Sequence, residues 1–291
     1  MEPLVSIVIP AYNSERFISE TIRSVLNQTY SAWELIAVND GSTDATPEII
    51  QSFVKTDGRI RLINQNNGGV SVARNNGAKN AKGDFLCFLD SDDVWLENNL
   101  KKKMNLLLSD KTLDFVFSDR NLIDEESNII KPGPLGFDTE IFENTLLWNG
   151  EPVPGPCSNV VFKRLCMEKG ISFHPELSNI ADKHFIIQLS RYFKGKRLPE
   201  ILFNYRIVGG SMSKNILLHE TDTLKAYDIY KKQGLFKNVA FEKKCFANMY
   251  LVIAGSWWVN HGNKWRALYF VFLSFLKAPF HTFKKLVAKI F

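Results

Sequence analysis

The first ninety residues alternate between two hydrophobic periods, and this alternation restricts the fold more than any other feature. Short apolar runs at 5–9, 34–38, 60–63 and 85–89 read as strands buried on both faces. Between them, 15–27, the segment after Asp44 and 70–81 carry helical spacing, as in Phe17, Ile18, Ile22, Val25 and Leu26. Thr43 or Asp44 is placed to cap the second helix, with Pro47 in its first turn. Such alternation predicts a parallel sheet covered by helices on both faces. Right-handed crossovers bring the four strand ends to one edge, where open α/β sheets bind ligands. Tyr12-Asn13, Asn39-Asp40, Asn67-Gly68-Gly69 and Asp90-Ser91-Asp92 meet there.

The fourth run ends in three carboxylates within four residues, Asp90, Asp92 and Asp93. Hard oxygen ligands at that density suit Mg²⁺ or Mn²⁺ carrying a substrate phosphate. The competing reading is a solvated acidic turn that caps the next helix. A nucleotide sugar fits the remaining groups. Tyr12 can stack on a base and Asp40 can accept from a ring N–H. The Gly68-Gly69 turn offers backbone amides, and Arg74 on the following helix can meet a diphosphate. A plain tight turn and a surface charge are the alternatives for those last two. No G-x-G-x-x-G follows the first strand and no G-x-x-x-x-G-K-[ST] occurs, which disfavours dinucleotide and P-loop folds.

Composition agrees with a globular protein, at 45% hydrophobic and 23% charged residues. Cys87, Cys157, Cys166 and Cys245 are scattered without a C-x-x-C pair. They read as reduced, structural thiols of a cytoplasmic protein, not as a zinc site. The amino terminus lacks a basic n-region and reads as a strand instead of a signal peptide. Net charge is +5, but residues 214–291 hold thirteen Lys/Arg against four Asp/Glu, so the basic excess belongs to that end.

Four ordered segments carry a resemblance: Val5-Ser6-Ile7-Val8-Ile9-Pro10-Ala11-Tyr12-Asn13, Val38-Asn39-Asp40-Gly41-Ser42-Thr43-Asp44, Gly69-Val70-Ser71-Val72-Ala73-Arg74-Asn75 and Phe88-Leu89-Asp90-Ser91-Asp92-Asp93. Together they closely resemble family 2 glycosyltransferases of the GT-A fold, over roughly the first hundred residues. The resemblance implies an inverting transferase using a nucleotide-diphosphate sugar, UDP by preference, and Mn²⁺ or Mg²⁺. It places Pro10, Ala11, Tyr12, Asn13, Asp40, Gly69, Arg74, Asp90, Ser91 and Asp92 in the donor site. Asp40 matches the family's base-reading aspartate, and Asp90-Ser91-Asp92 its D-x-D motif. Asp92 matches the direct metal ligand, with Asp90 beside it. Asn39 stands where many members have a second acid.

Asp182 precedes an amphipathic helix bearing Phe185, Ile186, Leu189 and Phe193, and by position alone reads as an N-cap. The resemblance instead matches it to the family's catalytic base, with Ala181 where a further acid is common; His184 reads as a packing or surface histidine. Residues 198–206 read as a strand ending in Tyr205-Arg206. In relatives a Tyr-Arg and then a His precede a loop that closes over the donor phosphates. The resemblance therefore implies lid contacts from Arg206, Ser211 or Ser213, with Val208 in place of the His. Residues 115–118 read as a strand, 124–128 as a hairpin turn, and 158–162 as a strand at the sheet edge; Arg164 opens a short helix.

The expected organisation is a catalytic domain over 1–213, divided into a nucleotide-sugar half (1–110) and an acceptor-side half (111–213). A helical region over 214–291 follows, with helices near 217–233, 241–260 and 264–277. The apolar stretch 268–276 is too short to span a bilayer. Phe280, Phe283, Leu286, Val287, Ile290 and Phe291 share one helical face, with Lys285 and Lys289 opposite and Lys284 at the margin. This end fits the inner face of the cell membrane, in peripheral contact through 264–291, or a helix folded onto the protein with solvated lysines. Nucleic acid fits less well, since the aromatics follow a packing stripe. The resemblance implies as acceptor a glycan or lipid-linked hydroxyl in surface polysaccharide or lipopolysaccharide synthesis. A sugar-phosphate nucleotidyltransferase and a non-catalytic GT-A-like binding protein are the rival functions.

Overall fold

Every residue of β1 (Val5–Ala11) is buried, which fits its place between β2 (Trp33–Asp40) and β4 (Phe85–Phe88), parallel to both. The computed structural model describes residues 2–209 and 215–288. Its contacts separate two units, one of 1–142 with 151–208 and one of 143–150 with 209–291.

In the first unit, β3 (Ile60–Gln65) adds to β2 in parallel, so the first four strands form the expected parallel sheet. β1 outruns β4, whose pairing stops at Val8 opposite Phe88. Pro10, which lacks an N–H, thus sits where that neighbour has already turned away. α1 (Ile18–Leu26) and α2 (Thr46–Val54) cover one face. There Ile18, Ile22, Val25, Ile50 and Phe53 pack with Val5, Ile7 and Ile9. The cap position of α2 belongs to Ala45, with no side-chain cap, not to Thr43 or Asp44; Asp44, one residue earlier, accepts from the amides of Thr46 at 3.0 Å and Glu15 at 3.1 Å and so ties the start of α2 to the loop after β1. α3 (Val70–Lys79) lies on the other face, where the absent side chain of Gly77 gives close approach; a Cβ there would stand 2.2 Å from Val8 Cγ1.

Beyond β4 the sheet becomes mixed. β5 (Val94–Trp95) and α4 (Asn99–Ser109) lead to β6 (Phe115–Ile123), which turns at 124–128 into β7 (Ile129–Pro132). The chain leaves this unit within α5 (Ile141–Leu146) and re-enters at Glu151. A one-turn helix, α6 (Pro156–Asn159), then precedes β8 (Val161–Lys163), and α7 (Leu165–Glu168) starts after Arg164. The edge strand expected at 158–162 is therefore corrected. Ser158 and Asn159 are helical, and β8 lies inside the sheet, antiparallel to both β4 and β6. Ser158 and Asn159 instead hydrogen-bond the backbone of Asp90 and Ser118. α8 (Ala181–Tyr192) and β9 (Gly195–Arg206) complete the unit, giving the order β3-β2-β1-β4-β8-β6-β9-β5.

The second unit is helical: α9 (Ile216–Lys232), α10 (Val239–Ser256), a π-helical turn (Trp257–His261), α11 (Lys264–Lys277) and α12 (Pro279–Val287). Asn215, Asn238 and Asn263 cap the three long helices, accepting from the amides of Leu218, Phe241 and Arg266. Tyr227, Tyr230, Met249, Ile253 and Phe270 are buried. No helix among the described residues is long and apolar enough to cross a membrane.

Candidate active site

After Phe88 the chain keeps one more sheet bond, Leu89 N–H to Val8 O at 3.0 Å, and then turns, with Asp93 N–H donating to Asp90 O at 3.2 Å. This acidic turn is held from two sides. On the α1 side, the Thr21 hydroxyl reaches the carbonyls of Ser91 (3.0 Å) and Asp93 (2.9 Å), and the Ser14 and Ser91 hydroxyls are 2.8 Å apart. On the β9 side stands Arg206, whose side chain is 0% exposed. Its amide donates to Asp93 Oδ1 at 2.9 Å and its Nε to Asp92 O at 2.7 Å. Its terminal nitrogens donate to Asp124 O, Ser127 Oγ and Glu20 Oε2. The expected donor contact by Arg206 is corrected accordingly: protein acceptors occupy the buried guanidinium, so it braces the acidic turn. Ser211 and Ser213, the other expected lid contacts, lie outside the described residues.

The three acids of the turn have different surroundings. Asp90 pairs with Arg74 at 2.6 Å, an arginine whose side chain is only 6% exposed. The Asp92 carboxyl is pushed up to about 6, by burial first and by Asp90 second. Burial, with Asp92 and Asp90 as neighbours, holds Asp93 well above the ordinary carboxylate range. Arg74 stays charged: burial works against its charge, but the attraction and hydrogen bond of Asp90, with Asp182 and Cys157 beside it, together outweigh that burial.

Asp182 is the second residue of α8; the cap position belongs to Ile180, and no side chain caps that helix. Its Oδ1 accepts from Lys183 N–H at 2.6 Å. Burial raises its pKa above the ordinary value, Arg74 pulls it back down, and Asp90 raises it further. The carboxylates of Asp182 and Asp90 and the guanidinium of Arg74 thus form one electrostatic cluster, assembled from α8, the β4 end and α3. His184 is buried, meets His174 edge-on at 5.9 Å, and is lowered to about 4 by burial, so it packs as a neutral ring.

Tyr12 is exposed beyond the buried Pro10 and Ala11. Asn13 takes the left-handed backbone (φ 48°), and its Oδ1 accepts from Thr43 N–H at 2.9 Å. Asn39 accepts from Ser42 N–H and donates to Asn64 Oδ1. Asp40 Oδ1 accepts from Gln65 Nε2 (2.7 Å) and Gly68 N–H (2.8 Å), and Oδ2 from Gly69 N–H (2.8 Å). The amides that the glycine turn was expected to offer a diphosphate are therefore engaged by Asp40. Gly69 is required there for its φ of +87°.

Four participants escaped sequence reasoning. Ser158 Oγ accepts from Asp90 N–H at 3.0 Å. Its neighbour Asn159 clamps Ser118 and accepts at Oδ1 from the buried Lys103 at 3.0 Å. Burial lowers that ammonium to about 7. Tyr205 sits near enough to Asp93, Asp90, Asp182 and Asp92 for all four, after burial, to raise its phenol. Only the Tyr-Arg pair at a strand end could have flagged Tyr205; nothing local marks Lys103, whose partners are distant in sequence.

Among the described residues no cluster of three or more His, Cys, Asp or Glu side chains is arranged to hold a metal. The acidic turn fits a different kind of site. Asp90 adds repulsion to the burial that raises Asp92 to about 6, and a dication between them would offset that second contribution. One or two carboxylates with substrate phosphates completing the shell is how Mg²⁺ is usually held.

Residues 6–166 match the model of the glycosyl transferase family 2 domain. This chain belongs to family 2 of the glycosyltransferases. The glycosyltransferase is 32% identical over 221 residues to TuaG of Bacillus subtilis (strain 168), a glycosyltransferase provisionally named for teichuronic acid biosynthesis. The match covers 74% of this chain and 83% of TuaG. An Escherichia coli enzyme, UDP-Glc:alpha-D-GlcNAc-diphosphoundecaprenol beta-1,3-glucosyltransferase WfgD, is 40% identical over 129 residues, 44% of this chain and 50% of its own. In fold, the glycosyltransferase is similar to the mannosyltransferase PcManGT from Pyrobaculum calidifontis, solved with GDP-Man and Mn²⁺. The TM-score is 0.64 at 16% identity, covering 100% of this chain and 81% of that one. The GT-A fold is thereby established, and the nucleotidyltransferase and non-catalytic readings give way to the glycosyltransferase.

Proposed function

We propose that this glycosyltransferase moves a sugar, with inversion, from a UDP-sugar to a hydroxyl of a glycan or lipid-linked acceptor in surface polysaccharide synthesis. The observation that carries the reading is the cluster of Arg74, Asp90, Asp92 and Asp182 at one sheet edge, with Asp92 at about 6. WfgD's name supports the choice of UDP and of a lipid-linked acceptor, and TuaG's name supports a cell-surface polymer. The GDP-Man complex of PcManGT keeps a GDP-sugar as the donor to test beside it.

Tyr12, exposed at the crevice rim, stacks on the base, and Asp40 accepts from it through its remaining lone pair. Pro10, Ala11, Asn13 and Ser91 line this part of the donor site. Asp92, with Asp90, would hold a Mn²⁺ or Mg²⁺, which would supply positive charge to neutralise the departing diphosphate. Arg74 keeps Asp90 oriented and adds its own positive charge toward the phosphates.

Asp182 takes the acceptor hydroxyl's proton while that oxygen bonds the anomeric carbon. The bond from that carbon to the diphosphate oxygen breaks on the opposite face, its electron pair leaving with the diphosphate. One displacement inverts the centre, and no protein nucleophile is needed.

A panel of sugar nucleotides incubated with the protein in Mn²⁺, Mg²⁺ or chelator tests the proposal. Release of UDP from one UDP-sugar, dependent on the cation, is expected. Release of GDP instead would replace the donor, and equal release in chelator would remove the metal from the reading.

A further inference from the structure

α12 is docked the wrong way round for a helix that belongs to a water-soluble surface. Its inward side is polar: Thr282 is fully buried with its Oγ1 2.7 Å from Ser274 Oγ, His281 Nε2 lies 2.7 Å from Asn248 Oδ1, and Lys285 Nζ donates to Asn149 Oδ1 at 2.9 Å. Its outward side holds Phe280, 91% exposed, and Phe283, 64% exposed. A helix packed onto its own domain for stability buries its apolar stripe and solvates its lysines. Here one lysine faces inward and the phenylalanines face out.

α11 repeats the pattern. Ala267, Phe270 and Ser274 face the unit's interior. Trp265 (84% exposed), Leu268, Tyr269, Phe272 and Leu276 lie on the opposite side, at spacings of three and four that keep them within about 100° of arc. The preceding π-helical turn adds exposed Trp258 and Val259. Such a run of exposed aromatic and aliphatic side chains exceeds what scattered surface residues explain.

Charge selects the occupant. Residues 264–291 contain six Lys/Arg and no acid. Lys264, Arg266 and Lys277 sit on either flank of the α11 stripe, and Lys284 borders Phe280 and Phe283; all four are exposed. Glu220 neutralises Arg266, which leaves three exposed lysines around the apolar stripe. Aromatic residues on one face with cations at its margins match a bilayer boundary, where rings enter the headgroup layer and ammonium groups meet anionic phosphates. We propose that α11, α12 and the π-helical turn form a membrane-docking face for anionic bilayers, lying in the interface without crossing it.

Co-sedimentation with vesicles of phosphatidylglycerol and phosphatidylcholine reads this directly, independently of any donor or acceptor. The full chain is expected in the pellet with mixed vesicles at low salt and in the supernatant with pure phosphatidylcholine. Near 1 M salt, where screening acts over about 3 Å, the pelleted fraction falls severalfold. The triple variant Trp265→Ser, Phe280→Ser, Phe283→Ser lowers vesicle affinity at least about tenfold with an unchanged melting temperature, because each residue is already exposed. A full chain that stays in the supernatant at low salt overturns the proposal. So does a concentration-dependent dimer in lipid-free sedimentation velocity that the triple variant dissolves, since the face would then belong to a second copy. A triple variant that binds like wild type overturns it as well.

Discussion

Asp182 is subject to opposed influences: burial raises its pKa and Arg74 lowers it, with the net shift upward. A carboxylate shifted in that direction is a stronger base for an acceptor hydroxyl. Asp182→Asn should therefore cut turnover by about 10²–10⁴ while donor affinity holds, as read by product formation and calorimetry. Wild-type turnover should fall as pH drops through a value above the ordinary 3.8. The stability sign is the reverse of a salt-bridged acid's. A folded value raised above the unfolded one gives stability that is present at low pH and lost as pH rises through the folded value. At pH 7 the Asn variant should melt no lower than wild type; a drop in melting temperature matching the drop in rate would make Asp182 structural. Arg206 marks the limit of local reading. Its motif was visible, but its partner Glu20 is 186 positions away in the chain, and burial beside it turns an expected ligand contact into a brace. Buried donors such as those of the Arg206 guanidinium cost about 1–3 kcal/mol each when left alone, and that cost commits it to these acceptors.

At the scale of elements, α3 shows how packing sets the site. Gly77 lies against Val8, and Arg74, one turn earlier, reaches Asp90 at 2.6 Å. Gly77→Ala should push α3 off the sheet, costing about 1–3 kcal/mol by overpacking, and weaken donor binding as Arg74 retreats. Val8→Ala in the same chain should restore part of both, as measured by denaturant unfolding and donor titration. No change in the single variant would show that α3 adjusts freely. The four parallel strands were legible because each is a buried apolar run ended by turn residues. β8 was not, because three residues carry no period, and the polar pair before it looks like an exposed edge until Lys103, Ser118 and Asp90 are seen to use it. Amphipathic α12 was legible as a helix, yet its pattern alone does not say which face docks.

For the whole molecule, the central claim is that the acidic turn, Arg74 and Asp40 form one donor site loaded with a divalent cation. The resemblance in the first hundred residues pointed to that site; the family match over residues 6–166 and the GT-A fold bear out the family and the fold, and the site itself is the proposal. What the sequence withheld was the electrostatic state of the site, because burial and through-space charge depend on strands far apart in the chain. Asp92→Asn isolates the claim: it keeps the shape of the turn and removes one anionic ligand from a site that needs hard charge. The measurement is calorimetric titration of UDP into wild type and Asp92→Asn, each with Mn²⁺ and with chelator. Wild type should bind UDP with Mn²⁺ and lose most of that affinity in chelator, and Asp92→Asn should be weak in both. Equal, cation-dependent UDP binding by wild type and Asp92→Asn would contradict the account.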